Sequence, residues 1–136
     1  MLVIVPCGSA KADRPMPAGL LYTGSYHKAA LGYALAIAKP ENIRILSAKY
    51  GLLALDKSVA PYDLKMGQEG SVSEDQVRQQ AADQGLLDEQ VIAVTGSKYF
   101  EVIAKVWPNA ERPLAGIGGM GYQMQWLTKE TKKARR

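Results

Sequence analysis

Three short runs of consecutive apolar residues punctuate the chain: Leu2 to Val5 (LVIV), Ile43 to Leu46 around one arginine (IRIL), and Val91 to Val94 (VIAV). Short unbroken runs rich in β-branched residues predict strands buried on both faces, as in a parallel sheet. Between them, apolar residues recur at helical spacing. Tyr26 to Ala38 (YHKAALGYALAIA) predicts a helix closed by Lys39-Pro40, long enough to cross between parallel strands. Thr23 or Ser25 is placed to cap it, and Gly32 to allow close packing on the sheet. Ser73 to Gln84 predicts a polar surface helix, with Ser73 as cap and Gln76 three positions on. Its glutamines, Gln76, Gln79, Gln80 and Gln84, read as a solvent face. Tyr99 to Val106 predicts a helix ended by Trp107-Pro108. Tyr122 to Lys133 predicts a last one, with Trp126 and Leu127 on its buried side. Tyr50 to Leu53 reads as a short helical turn, and Asp56 to Ala60 as a connector. Ala12 to Gly24, interrupted by Pro15, Pro17 and Gly19, reads as a long loop. This alternation predicts an α/β fold: a single three-layer domain over residues 1–136, with a mainly parallel central sheet and helices on both faces.

Composition narrows the classes. With 136 residues, 47% hydrophobic and 22% charged, the chain is an ordinary globular domain. No apolar run approaches the roughly 20 residues of a membrane helix. The stretch Met1 to Pro6 lacks a basic leader and is too short for a signal core, so it reads as structural. A single cysteine forbids an intrachain disulfide and suits a cytoplasmic protein. One histidine and no Cys/His/Asp cluster argue against a metal site, and no cofactor is expected. The net charge of +4 and the pI of about 9.2 permit an anionic partner. Part of the excess lies in Lys129, Lys132, Lys133, Arg135 and Arg136. That tail reads as a solvated helix end suited by the helix dipole, the alternative being a grip on nucleic acid.

Candidate chemistry gathers where strands end. Cys7-Gly8-Ser9-Ala10-Lys11, Ser47-Ala48-Lys49-Tyr50-Gly51 and Thr95-Gly96-Ser97-Lys98 share one design: small residues, a hydroxyl, a lysine. If the strands are parallel, Lys11, Lys49 and Lys98 ring the carboxyl edge, where open α/β sheets bind ligands. Cys7 reads as a small packing residue, the alternative being a nucleophile, and His27 as a solvent-facing or capping one, the alternative being catalysis. Tyr22 folds back toward the site. Pro61 restrains Ala60, so Tyr62, Asp63 and Lys65 emerge at a defined angle. Asp63 is the best candidate for a working carboxylate, the alternative being a cap or a partner for Lys65. Gly116, Gly118 and Gly121 match G-x-G-x-x-G formally, but Pro113 precedes them and the chain ends before an acidic residue on a second strand. Gly116, Gly118 and Gly119 read instead as a loop opening the last helix, its free N–H groups suited to an anion, or else as a close-packing device. The organising expectation is that Ser9, Lys49, Asp63 and the glycines near 118 converge on one concave surface.

The segments Leu46-Ser47-Ala48-Lys49-Tyr50-Gly51-Leu52-Leu53 and Ala60-Pro61-Tyr62-Asp63-Leu64-Lys65-Met66 resemble the core of the YaaA family of peroxide-stress proteins. The whole chain resembles a shorter family of uncharacterised bacterial and phage proteins. Those share the Cys7-Gly8-Ser9-x-Lys11 turn, Leu21-Tyr22-Thr23-Gly24 and a stretch like Pro113 to Gly118. Related domains accompany archaeosine-type tRNA-modifying enzymes and resemble uracil-DNA-glycosylase folds. The resemblance implies an α/β domain that handles nucleic acid or a nucleobase, in stress response or phage defence. One reading is an N-glycosidase or base-exchange enzyme. In it Tyr50 or Tyr62 stacks on the base, Asp63 orients water or stabilises oxocarbenium charge, and Lys11, Lys49 and the glycine loop hold phosphate. The other is a binding module that uses the same residues without turnover.

Overall fold

The computed structural model describes residues 1–135; Arg136, counted in the basic tail, lies outside them. In chain order the elements are β1 (Leu2–Pro6), β2 (Met16–Pro17), α1 (Ala18–Leu21), α2 (Ser25–Ile37), β3 (Ile43–Ser47), β4 (Gly51–Ala54), β5 (Ser58–Val59), α3 (Glu74–Asp83), β6 (Val91–Ala93), α4 (Ser97–Val106) and α5 (Met120–Ala134). The three apolar runs are the parallel heart of a sheet ordered β4-β3-β1-β6. β1 pairs parallel with β3 and β6, and β4 pairs antiparallel with β3. Every residue of β1 is buried, which requires cover on both faces. Each aliphatic side chain so buried is worth about 1.5–3 kcal/mol. α2 packs on β1 and along α5; α3 packs on β4 and against α4. The result is one mixed α/β domain with a mostly parallel sheet between helices.

α3 opens on a full capping box. Ser73 Oγ accepts from the Gln76 N–H, and Gln76 Oε1 accepts from the Ser73 N–H at 2.8 Å. α2 differs from expectation at its start, where Gly24, not Thr23 or Ser25, is the N-cap and no side chain caps it. Its close approach to the sheet is made by Ala30 and Ala34, both fully buried. Gly32 has no such part, because a Cβ there would meet nothing within 4 Å.

The largest correction falls on Tyr50 to Leu53. A turn over Ala48 to Tyr50 reverses the chain, and Gly51 to Ala54 form an antiparallel edge strand. Leu52 and Leu53 bury their side chains beside β3, which a solvated helical turn would not achieve. The expected long loop is also partly ordered. β2 pairs with β5, and Ala18 N–H and Gly19 N–H donate to the carbonyls of Lys57 and Leu55. At the opposite edge, the main chain at Glu111 lies along β6, with Ala93 N–H donating to its carbonyl at 2.7 Å and its own N–H donating to Val91.

Candidate functional site

The carboxyl ends of β1 and β3 deliver Cys7 and Ser47 to one corner, and tyrosines close over it. Ser47 is fully buried. Its Oγ accepts from the backbone N–H groups of Lys49 (3.2 Å) and Tyr50 (3.0 Å), which folds the turn after β3. Both lone pairs are then used, so the Ser47 proton is donated to the Tyr62 hydroxyl at 2.7 Å. Tyr62 in turn donates to Tyr22, 2.6 Å away. The order Ser47 to Tyr62 to Tyr22 is thus a directed chain whose free proton is that of Tyr22. Burial pushes the Tyr22 phenol up to about 12 and raises that of Tyr62 as well. Both therefore stay neutral donors at physiological pH.

Around this chain stand the remaining groups. Tyr50 meets Tyr62 edge-on at 5.5 Å between centroids and is 38% exposed. Lys11 Nζ lies 4.3 Å from the Tyr62 ring centroid, and Lys49 Nζ lies 5.3 Å from that of Tyr50. Burial lowers the pKa of Lys11, opposed by Cys7 and by the carboxylate of Asp63. Asp63 itself is exposed, and among the described residues it forms neither the ion pair with Lys65 nor the helix cap considered above. Cys7 is buried, as a packing residue would be. Its thiol sits 3.2 Å from the Tyr99 hydroxyl, which donates back to the Cys7 carbonyl.

The glycine loop is tied to the start of α2 and has no hydrogen bond, among the described residues, to the groups gathered around Ser47. Gly116 and Gly118 have φ of +77° and +110°, a turn that side chains resist, and Gly119 is the N-cap of α5. Gln123 ties the loop down by donating to the Gly118 carbonyl, and Tyr26 at the start of α2 donates to the Gln123 amide oxygen. The Tyr122 ring lies against Gly118 and is 68% exposed.

The structure therefore gathers Cys7, Lys11, Tyr22, Ser47, Lys49, Tyr50 and Tyr62, with Asp63 exposed on the segment just beyond Tyr62. Gly8 lies beside His27, and Ser9 is exposed, its carbonyl accepting from Lys11 Nζ at 3.2 Å. Ala48 is buried and accepts from the Val72 N–H. Gly96 caps α4, and Ser97 and Lys98 are exposed in its first turn. Lys98 turns to a separate cavity of about 470 Å³ shared with Met66, Glu74 and Glu101. Lys65 is exposed, and its N–H bonds only to Gln68. A second cavity, of about 500 Å³, runs beside β4 from Tyr50 to Ala60.

Two residues read from sequence as solvent-facing are not. His27 is 2% exposed, its ring 5.1 Å from that of Tyr22. Its Nδ1–H donates to the Pro6 carbonyl at 2.7 Å, which fixes the neutral tautomer, and its enclosed Nε2 has no partner. Gln80 clamps the edge strand: Nε2 donates to the Tyr50 carbonyl and Oε1 accepts from the Leu52 N–H. Nothing within either local window signals these roles. The only hint for Gln80 is Gly51, which has to lack a side chain where the amide docks.

Among the described residues no group of His, Cys, Asp and Glu side chains could hold a metal ion. No helix among them is long and apolar enough to cross a membrane. Comparison with curated proteins finds no match to the chain. A family model matches residues 2–129, nearly the whole fold just described, and the chain belongs to that family, DUF6884, a family of unknown function.

Proposed function

We propose that the protein handles nucleobases, as free nucleotides or within nucleic acid, at the corner built on Ser47, Tyr50 and Tyr62. The observation that carries this reading is Tyr50. It is an exposed ring, braced edge-on by a hydrogen-bonded neighbour, with Lys49 beside it and Lys11 over the ring of that neighbour, Tyr62. A fixed aromatic face with flanking cations suits a base and its phosphate. The neutral phenol of Tyr22, whose proton is the free one of the chain, adds a donor for a carbonyl or ring nitrogen. Binding is the activity best supported by this geometry.

Catalysis is the second reading, and Asp63 favours it. Its carboxylate is exposed and free of a side-chain partner among the described residues, and its charge partly opposes the lowering of the Lys11 pKa by burial. In an N-glycosidase it would accept a proton from water as the water oxygen bonds to C1′. The C1′–N bond breaks as this happens, and the departing base takes up the electron pair and a proton. We further propose a uracil-DNA-glycosylase-like arrangement of the sheet, kinship with the YaaA proteins, and a cytoplasmic role in stress response or phage defence. The lone buried thiol agrees with that compartment.

Asp63→Asn separates the readings. For an enzyme it abolishes base release from modified DNA, RNA or nucleosides while affinity stays within about tenfold, a change of roughly 1.4 kcal/mol. For a module, wild type releases no base and Tyr50→Ala removes binding. Nucleosides and oligonucleotides that fail to bind wild type at any salt concentration refute both.

A further inference from the structure

We propose that the outer edge of β4 reads the hydrogen-bonding edge of a nucleobase; this rests on the nucleobase reading above and says where the base docks. In an antiparallel pair, alternate residues turn both backbone polar groups away from the partner strand. In β4 these residues are Leu52 and Ala54. Leu52 N–H donates outward to Gln80, and the Ala54 carbonyl accepts outward from the Lys57 N–H at 3.1 Å. Gln80 thus closes one end of the edge, and the turn at Lys57 closes the other. Between them stand the Leu52 carbonyl and the Ala54 N–H, neither with a partner among the described residues.

This acceptor and donor, two residues apart on one strand edge, border the cavity of about 500 Å³, which suits a nucleoside. Every nucleobase carries a donor next to an acceptor on its Watson–Crick edge, the edge that base-handling sites read. The cavity supplies the rest. Tyr50 offers its face, Leu53 and Val59 an apolar floor, and Lys57 a cation for phosphate. Gln84 adds free amide N–H donors, since its Oε1 already accepts from Arg44 Nε. An added peptide strand is the competing occupant. It needs a ladder of several pairs, and Gln80 and Lys57 leave room for one. The base therefore docks on the β4 side of Tyr50, the residue this cavity shares with the corner.

The test is a titration of the ¹⁵N-labelled protein with adenosine and uridine, each against an analogue with a methyl-blocked edge: N6,N6-dimethyladenosine and 3-methyluridine. The expected result is that the Ala54 and Leu53 amides shift most and that the blocked analogues bind at least tenfold more weakly. Ala60→Trp, which fills the cavity from its exposed rim, abolishes the effect. If the parent nucleosides bind with Ala54 unmoved, or the blocked ones bind equally, the edge assignment falls while the nucleobase reading stands. If no nucleoside binds, the nucleobase reading falls and takes this inference with it. If an extended peptide shifts Ala54 and nucleosides do not, the edge is a peptide-docking site and the proposal is overturned.

Discussion

Replacing Gly51 by alanine should damage the protein far more than the removal of one hydrogen atom suggests. Gly51 sits at φ +77°, where a Cβ costs about 1–2 kcal/mol. That Cβ would also stand 2.1 Å from Gln80 Oε1, well inside contact distance. The Gln80 amide then leaves, and the Leu52 N–H and Tyr50 carbonyl lose their partner. Two hydrogen bonds at about 0.5–1.5 kcal/mol each bring the expected loss to about 3 kcal/mol. Urea unfolding followed by circular dichroism measures it, with the m-value unchanged. Gln80→Ala alone should cost about 2 kcal/mol from the same two bonds. In the Gly51→Ala background it should cost almost nothing, because the clamp is already open. The double-mutant cycle therefore shows strong coupling between residues 29 positions apart in sequence. Additive losses, or a Gly51→Ala penalty below about 0.5 kcal/mol, would refute the clamp.

Other consequences are simpler to check. Ser73→Ala removes half of the capping box and should lower stability by about 1 kcal/mol in the same assay. At high pH, the unfolded phenols ionise near 10 while Tyr22 holds its proton to about 12 and Tyr62 and Tyr99 are also raised. The folded state binds more protons in that window, so stability is level below it and falls from about pH 10 upward. Absorbance of phenolate against unfolding temperature tests this; a flat profile to pH 12 contradicts it. At low pH the sign is set by His27, whose folded pKa lies below 6.5 because of burial. The unfolded chain takes the proton first, so stability falls as pH drops through 6.5. His27→Asn, which can keep a donor toward Pro6, should remove that step; its persistence would assign the step elsewhere.

The three parallel strands were legible because burial on both faces leaves short aliphatic runs, and α3 because both halves of its cap are local. The α2 crossover followed from alanine and leucine spacing with Pro40 beyond it. Sequence could not separate helix from strand at Leu52-Leu53, since two adjacent leucines satisfy either period; pairing with Leu46 and Ile45 decides it. The corner was legible in its parts, as hydroxyls and lysines after strands. The links between the parts were not: Tyr62 reaches Tyr22 across 40 residues, and Cys7 meets Tyr99 across 92. Burial of His27 arises from how α2 enters over Pro6 and Tyr22, a tertiary fact invisible in its own helical turn. Lys98 follows the same local design as Lys11, yet the start of α4 points it toward Glu101 and Met66.

Both borders of the sheet are sealed by something other than a strand: a glutamine amide on the β4 side, and a stretch of irregular main chain at Glu111 on the β6 side. On the β4 side, among the described residues, what remains open is one donor–acceptor gap, too short to template the growth of a fibril or the exchange of strands between copies. A fold whose border is interrupted so closely can present exposed backbone in a crowded cell without inviting its own kind.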